Sequence, residues 1–388
     1  MPQALLWSLF VSGPVLDEHL SEIAGDLGVA SRLLVTGGSG NGENGCRTSG
    51  SGFRIELVGV ATGAALIGGA DLSAVDVVGP VRIHVPTGIV ASLGRSVCRP
   101  RLGLDSRGLQ LTLSGLWILD GALQLQPAMF TPRFADQVVA PAAAGQPGWV
   151  AWPVLHSAQL IAHHALVADL VFALVQLALG FGLLFLRTVR PALIASVAWA
   201  LGVWVIGEGL GGTIGGTASI LTGAPGAALL YALVALTAWP GPSRQVQTAT
   251  LPSIPAWFAR AWATLWVALG LSALLPANRS AGRVADQLDS VAGSAPTWLA
   301  RIDQVVAEAI RHTGWFGIAL LVLAPAAVGL AGLATGRMRR VAAWTAIGLA
   351  VVAWVVGESF GQLASGIATD PNTGPLLVVA ALALLGLD

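Results

Sequence analysis

Beyond residue 107 the apolar residues fall in long uninterrupted blocks, at 160–186, 192–207, 223–239, 261–276, 314–334, 341–357 and 374–387. An eighth block, at 108–125, carries Asp120 within it. A helix needs about 20 apolar residues to cross the hydrocarbon of a bilayer, so with their flanks these blocks predict an all-α membrane protein of about eight transmembrane helices. The pattern before residue 108 is different. SRLLVTGGSGNGENGCRTSGSG at 31–52 reads as loop, and the Val- and Ile-containing runs of 53–93 are short and broken by Gly and Pro. Residues 1–107 therefore read as a Gly-rich extension or a small strand-containing region.

The pattern also repeats. Residues 199–231 return as 349–381, and an ungapped pairing aligns Trp204, Gly207, Glu208 and Pro225 with Trp354, Gly357, Glu358 and Pro375. Weaker matches flank this segment. Leu116–Trp117 resembles Leu265–Trp266, RFADQ at 133–137 resembles RVADQ at 283–287, and Pro147, Trp149 and Arg190 match Pro296, Trp298 and Arg340. These matches predict a first membrane repeat at 108–240, a linker at 241–256 and a second repeat at 257–388. Four spans in each return the chain to its starting side, so the copies are expected to be parallel four-helix repeats rather than an inverted pair. The segments 131–144 and 281–293 are expected to lie at the outer interface, with Trp149, Trp152 and Trp298 as anchors.

Composition agrees with a bilayer as the main partner, because 55% of residues are hydrophobic and only 10% charged. The net charge is zero and every basic residue is an arginine, which excludes a nucleic-acid footprint. Arginines cluster before the first span (Arg95, Arg99, Arg101, Arg107), at Arg187 and Arg190, at Arg244 and Arg260, and at Arg337, Arg339 and Arg340. With eight spans all of these lie on one side. The positive-inside rule makes that side cytoplasmic and predicts a multi-pass plasma-membrane protein with both termini inside. Four further arginines fall in the outward segment 277–311, among Asp286, Asp289, Asp303 and Glu308. Cys46 and Cys98 form no CxxC motif, and MPQALLWSLFVSG lacks the basic start of a cleaved signal peptide.

Candidate chemistry is confined to a few polar positions. Glu208 and Glu358 stand at the outer ends of the third and seventh spans, where a carboxylate must face a polar cavity, hold a proton or cap a helix. The glycines beside Glu208 permit a broken helix. His156 and His163 share a helical stripe, His164 turns partly away, and His163 aligns with His312. With Asp120 or Glu208 these histidines could hold a metal or relay a proton, and ordinary interfacial packing is the simpler reading. Asp169 interrupts an apolar span and should face another helix or a water path. Asp370, in TDPNTG, reads as a turn residue. GNGENG at 40–45 and GEGLGG at 207–212 match GxGxxG formally but lack the strand and helix of a nucleotide site. No Walker A lysine, GxSxG elbow or zinc-deaminase signature is present, and no cofactor is indicated.

LWILDGALQLQPAMFTPRFADQVVAPAAAGQPGW at 116–149, with WVIGEGLGG and ATDPNTGP later in the chain, resembles an uncharacterised group of actinobacterial polytopic integral membrane proteins. That resemblance spans most of 108–388 and implies architecture rather than activity. The layout of four spans with an interfacial segment after the first is also loosely similar to DoxX-like membrane proteins, with no redox residue to carry over. The expected function is transport or channelling of a small polar solute or ion between the repeats. A membrane oxidoreductase is one alternative. The other is a scaffold that binds a protein partner or oligomerises, for which Gly332 and Gly336 offer a GxxxG spacing.

Overall fold

The computed structural model describes residues 103–240, 254–293 and 295–387, together with short strands between 33 and 84. The chain divides into two units, Met1–Arg101 and Leu102–Asp388. In the first, strands β1 (Leu33–Gly37), β2 (Phe53–Leu57) and β3 (Val81–His84) form an antiparallel sheet in the order β1-β2-β3, with Val35 opposite Ile55 and Ile55 opposite Ile83. The predictions involving Cys46, Cys98 and most of GNGENG lie outside the described residues.

The described residues of the second unit are helical. Its helices are α1 (Ser106–Leu123), α2 (Gly148–His163), α3 (Ala165–Leu184), α4 (Val189–Ile206), α5 (Ala227–Thr237), α6 (Phe258–Ser272), α7 (Ala281–Ala292), α8 (Thr297–Arg311), α9 (Gly314–Ala331), α10 (Arg337–Val352) and α11 (Thr373–Leu385). Among the described residues four helices are long and apolar enough to cross a membrane: α3, α4, α9, and α10 with the wide turn that extends it to Gly357. Their most apolar windows are only 17% to 39% buried. So much exposed apolar surface has no place in water, and the unit is membrane-associated.

Other predicted blocks are helical but shorter. The block at 223–239 contains the 11-residue α5, and that at 374–387 the 13-residue α11. The block at 160–186 is broken at His164 (φ −128°, ψ 34°), which ends α2 and starts α3. His156 and His163 both lie in α2, and His164 stands at the break. The 131–144 segment is a wide turn followed by a tight one, shaped by Pro132 and Pro141, instead of a regular amphipathic helix. Segment 277–311 forms two packed helices, α7 and α8. Arg311 at the end of α8 bonds Asp286, Asp289 and Glu308, and these carboxylates, Asp289 foremost, raise its pKa.

Close helix crossings set the packing. Where α1 meets α3, a Cβ on Gly180 would sit 2.9 Å from Ser114 O, and the Ser114 hydroxyl donates to Gly180 O at 2.7 Å. Where α6 meets α9, a Cβ on Gly270 would lie 2.4 Å from Val322 O, and one on Gly329 2.9 Å from Ala263 O. Gly332 faces Trp262 of the same chain, 2.4 Å from where its Cβ would be, so half of the GxxxG pair is used internally. Helices α5 and α11 pack together at the centre and are apolar on all sides, as suits elements enclosed by other helices.

The two ends of the bundle differ. At one, Arg107 caps α3 through Leu183 O and Leu184 O, and Gln110 caps α5 through Ala238 O. At the other lie the irregular segments 207–226 and 357–372. Each is held by the turn after a helix in the opposite half: Asn278 donates to Ala218 O at 2.7 Å, and Gln126 to Ala368 O at 3.1 Å.

Asp303 of α8 faces inward at this end, fully buried, near the Ser359 hydroxyl but outside hydrogen-bonding geometry. Burial pushes its pKa up from 3.8 to about 6. The folded state then binds the extra proton, so the stability it lends is complete below pH 3.8 and lost as pH rises through about 6. Asp303→Asn should stabilise the protein at pH 8 by about 1–3 kcal/mol and leave it unchanged near pH 4. Thermal midpoints across that range are the check, and a difference that does not grow with pH refutes the assignment.

Candidate functional site

Helix α4 ends at Glu208 because the chain turns left-handed. Gly207 N and Glu208 N both donate to Val203 O (2.7 and 3.0 Å), and Leu210, Gly211 and Gly212 follow with φ near +60° to +71°. The same turn follows Glu358, where Phe360 and Gly361 have φ of 57° and 65°. Glycine takes this conformation without strain, whereas Leu210 and Phe360 must be held in it by their surroundings. Trp204 Nε1 donates to Pro225 O and Trp354 Nε1 to Pro371 O, both at 2.8 Å.

These bonds correct the ungapped pairing. Pro225 corresponds to Pro371, and Pro375 lies inside α11. Between tryptophan and accepting proline the second segment is four residues shorter than the first.

Both glutamates cap the helix that follows. Glu208 Oε1 accepts from Ala228 N at 3.0 Å, in the first turn of α5. Glu358 accepts from the Thr373 hydroxyl and from Gly374 N (3.1 Å), in the first turn of α11. A carboxylate there complements the positive end of the helix dipole. The two sites then diverge. Glu358 is enclosed, with 3% of its surface exposed. Glu208 lines a cavity of about 390 Å³ with Gln146, Gly212, Thr217 and Asn372, and its Oε2 has no hydrogen-bond partner. Glu358 is not in the wall of this cavity. Its volume falls within the range of small-molecule sites. Thr217 also lines a second groove, of about 490 Å³, bordered by Arg283, Asp286 and Gln287.

One turn below Ala228 in α5 stands Tyr231, 2% exposed, beside Asp120 of α1, 1% exposed. Asp370 lies within electrostatic reach of Asp120, Tyr231, Glu208 and Glu358. It is a turn residue as expected, accepting from the Thr369 hydroxyl and Asn372 N at 2.7 Å each. Burial raises its pKa, and those two bonds offset part of the rise. Sequence reasoning missed Tyr231, whose signal was available: it is the chain's one tyrosine, set in an apolar run.

The histidines are elsewhere. His156, His163 and His164 are exposed, and His156 stacks on Trp152 with ring centroids 5.2 Å apart. His312 pairs with Glu308 at 3.0 Å on the surface. The structure does not bring them to Asp120 or Glu208, both of which are engaged in the interior. Among the described residues no group of three or more His, Cys, Asp or Glu is placed to hold a metal ion. Asp169 of α3 is fully enclosed, and neither of its oxygens has a partner. No protein-family model, curated protein or solved structure matches the chain.

Proposed function

We propose that this protein carries a small polar solute or ion across a membrane, through the cavity walled by Glu208. The fold underlying this reading is an eight-span bundle of two parallel four-helix repeats with both termini cytoplasmic, of the kind its actinobacterial resemblance implies. Supporting the repeat are the paired crossings at Gly180 and Gly329, the paired tryptophan-to-proline bonds and the reciprocal hold of each irregular segment by the other half. Supporting the orientation is the gathering of Arg107, Arg187, Arg190 and Arg337–Arg340 toward the end opposite the irregular segments.

The observation that carries the function is irregular backbone around a polar cavity inside an apolar helical unit. Helix α5 is about 16 Å long at 1.5 Å per residue, well short of the hydrocarbon thickness. Non-helical backbone at membrane depth is tolerated where it is packed in protein or lines a water-filled space, and segment 207–226 does both.

The test uses Thr217, which borders both the second groove and the cavity. With Cys46 and Cys98 replaced by serine, Thr217→Cys should react with an impermeant thiol reagent from the extracellular side. The reaction should block flux of a solute identified by screening reconstituted vesicles. Labelling from the cytoplasmic side alone overturns the orientation, and undiminished flux after complete labelling overturns the pathway.

A further inference from the structure

The cavity does not account for the polar atoms beneath it. Asp120 Oδ1 and Gln124 Oε1 are buried without a hydrogen-bond partner, in residues no more than 3% exposed, and the equally buried Tyr231 hydroxyl faces the Asp120 carboxyl. Leaving such groups unpaired inside an apolar bundle is unfavourable. The titratable groups facing Asp120 are all acidic or neutral: Tyr231 from α5, Asp370 from the segment before α11, and Glu208 through its proximity to both. Helix α3, packed along α1, carries Asp169, which does not act on Asp120 electrostatically, and α11 has no titratable side chain. The groups that act on Asp120 and Tyr231 electrostatically are Asp370, Glu208 and each other, with no arginine or histidine among them. Several carboxylates in mutual reach without a cation cannot all be charged, and a bound proton relieves their repulsion.

We propose that Asp120, with Tyr231 and Asp370, is an occluded proton-binding site that exchanges its proton with the cavity by way of Glu208. Loading forms an O–H bond at the Asp120 carboxylate as an O–H bond of a hydronium in the cavity breaks. Unloading returns the proton to cavity water. The Tyr231 hydroxyl lies beside the carboxyl group and orients it, and Glu208 sits one helical turn nearer the cavity. Coupling to solute movement rests on the transport reading, whereas the proton site rests on the buried atoms alone.

Infrared spectroscopy of the reconstituted full-length protein separates the two. At neutral pH the protein should show a carbonyl stretch of protonated carboxylic acid that shifts in heavy water. Asp120→Asn should remove at least half of that intensity, and Tyr231→Phe should move the band by removing its neighbouring dipole. Asp169→Asn should leave the Asp120 component in place. An Asp120→Asn spectrum identical to wild type overturns the proposal. If that variant does not fold, an unmoved band in Tyr231→Phe overturns it alone. Loss of the band on adding sodium chloride at constant pH makes this an alkali-cation site and overturns it equally. A band that behaves as expected in a protein without solute flux leaves the proton site standing and removes the transport reading.

Discussion

Glu208→Gln is expected to cut flux sharply while leaving the protein folded, and Glu358→Gln is expected to lower stability while leaving flux per folded molecule intact. Glutamine at 208 keeps a carbonyl oxygen for Ala228 N and replaces Oε2, which has no partner to lose. Its stability cost is that of a weakened cap, about 1 kcal/mol or less. What it removes is the titratable carboxyl group in the cavity wall, and a loss of about 10-fold or more in transport rate is expected. Glutamine at 358 has one acceptor where two are used, by the Thr373 hydroxyl and Gly374 N. If its amide turns toward Gly374, two donors face each other in a closed site, at a cost of about 1–3 kcal/mol. The midpoint of thermal unfolding in detergent should therefore fall for Glu358→Gln and hold for Glu208→Gln. Equal flux losses in both variants, scaled to folded protein, would falsify the separation of a cavity carboxylate from a capping one.

The helical character of the membrane-associated unit was legible from block length and composition, because bilayer thickness imposes a length that few other environments demand. Boundaries were less legible where local geometry overrides hydropathy. His164 sits in a continuous apolar stretch, yet its backbone separates α2 from α3. Proline at 132 and 141 excluded a regular helix from a segment whose composition matched α7. Glu208 and Glu358 were legible as special positions, since a carboxylate at a span end needs a partner. Their different surroundings were not, because the cavity wall includes Asn372 from the opposite half, 164 positions beyond Glu208. The same applies to Asp120 and Tyr231, which meet only once α1 packs on α5.

That difference is sharpest at the two glycines preceding the glutamates, and Gly357→Ala should destabilise the protein severely where Gly207→Ala does not. The local sequences match, WVIGE against WVVGE, so composition offers no reason to separate them. A Cβ on Gly207 would lie 3.0 Å from Val203 O, in the preceding turn of its own helix, and a shift of a few tenths of an ångström relieves it. A Cβ on Gly357 would lie 1.6 Å from Leu221 O. That oxygen is main chain, in the tight turn Ile220–Thr222, and it cannot rotate away as a side chain could. Relief requires moving the turn, whose Thr222 lines the Glu208 cavity. Overpacking commonly costs about 1–3 kcal/mol, and a clash with fixed backbone belongs above that range, at about 4 kcal/mol or more. Gly207→Ala should stay within about 1 kcal/mol. Thermal midpoints and the yield of monodisperse protein in detergent are the measurements. Equal tolerance at the two positions overturns the close approach of Gly357 to Leu221, and with it the route by which the second half of the chain braces the cavity in the first.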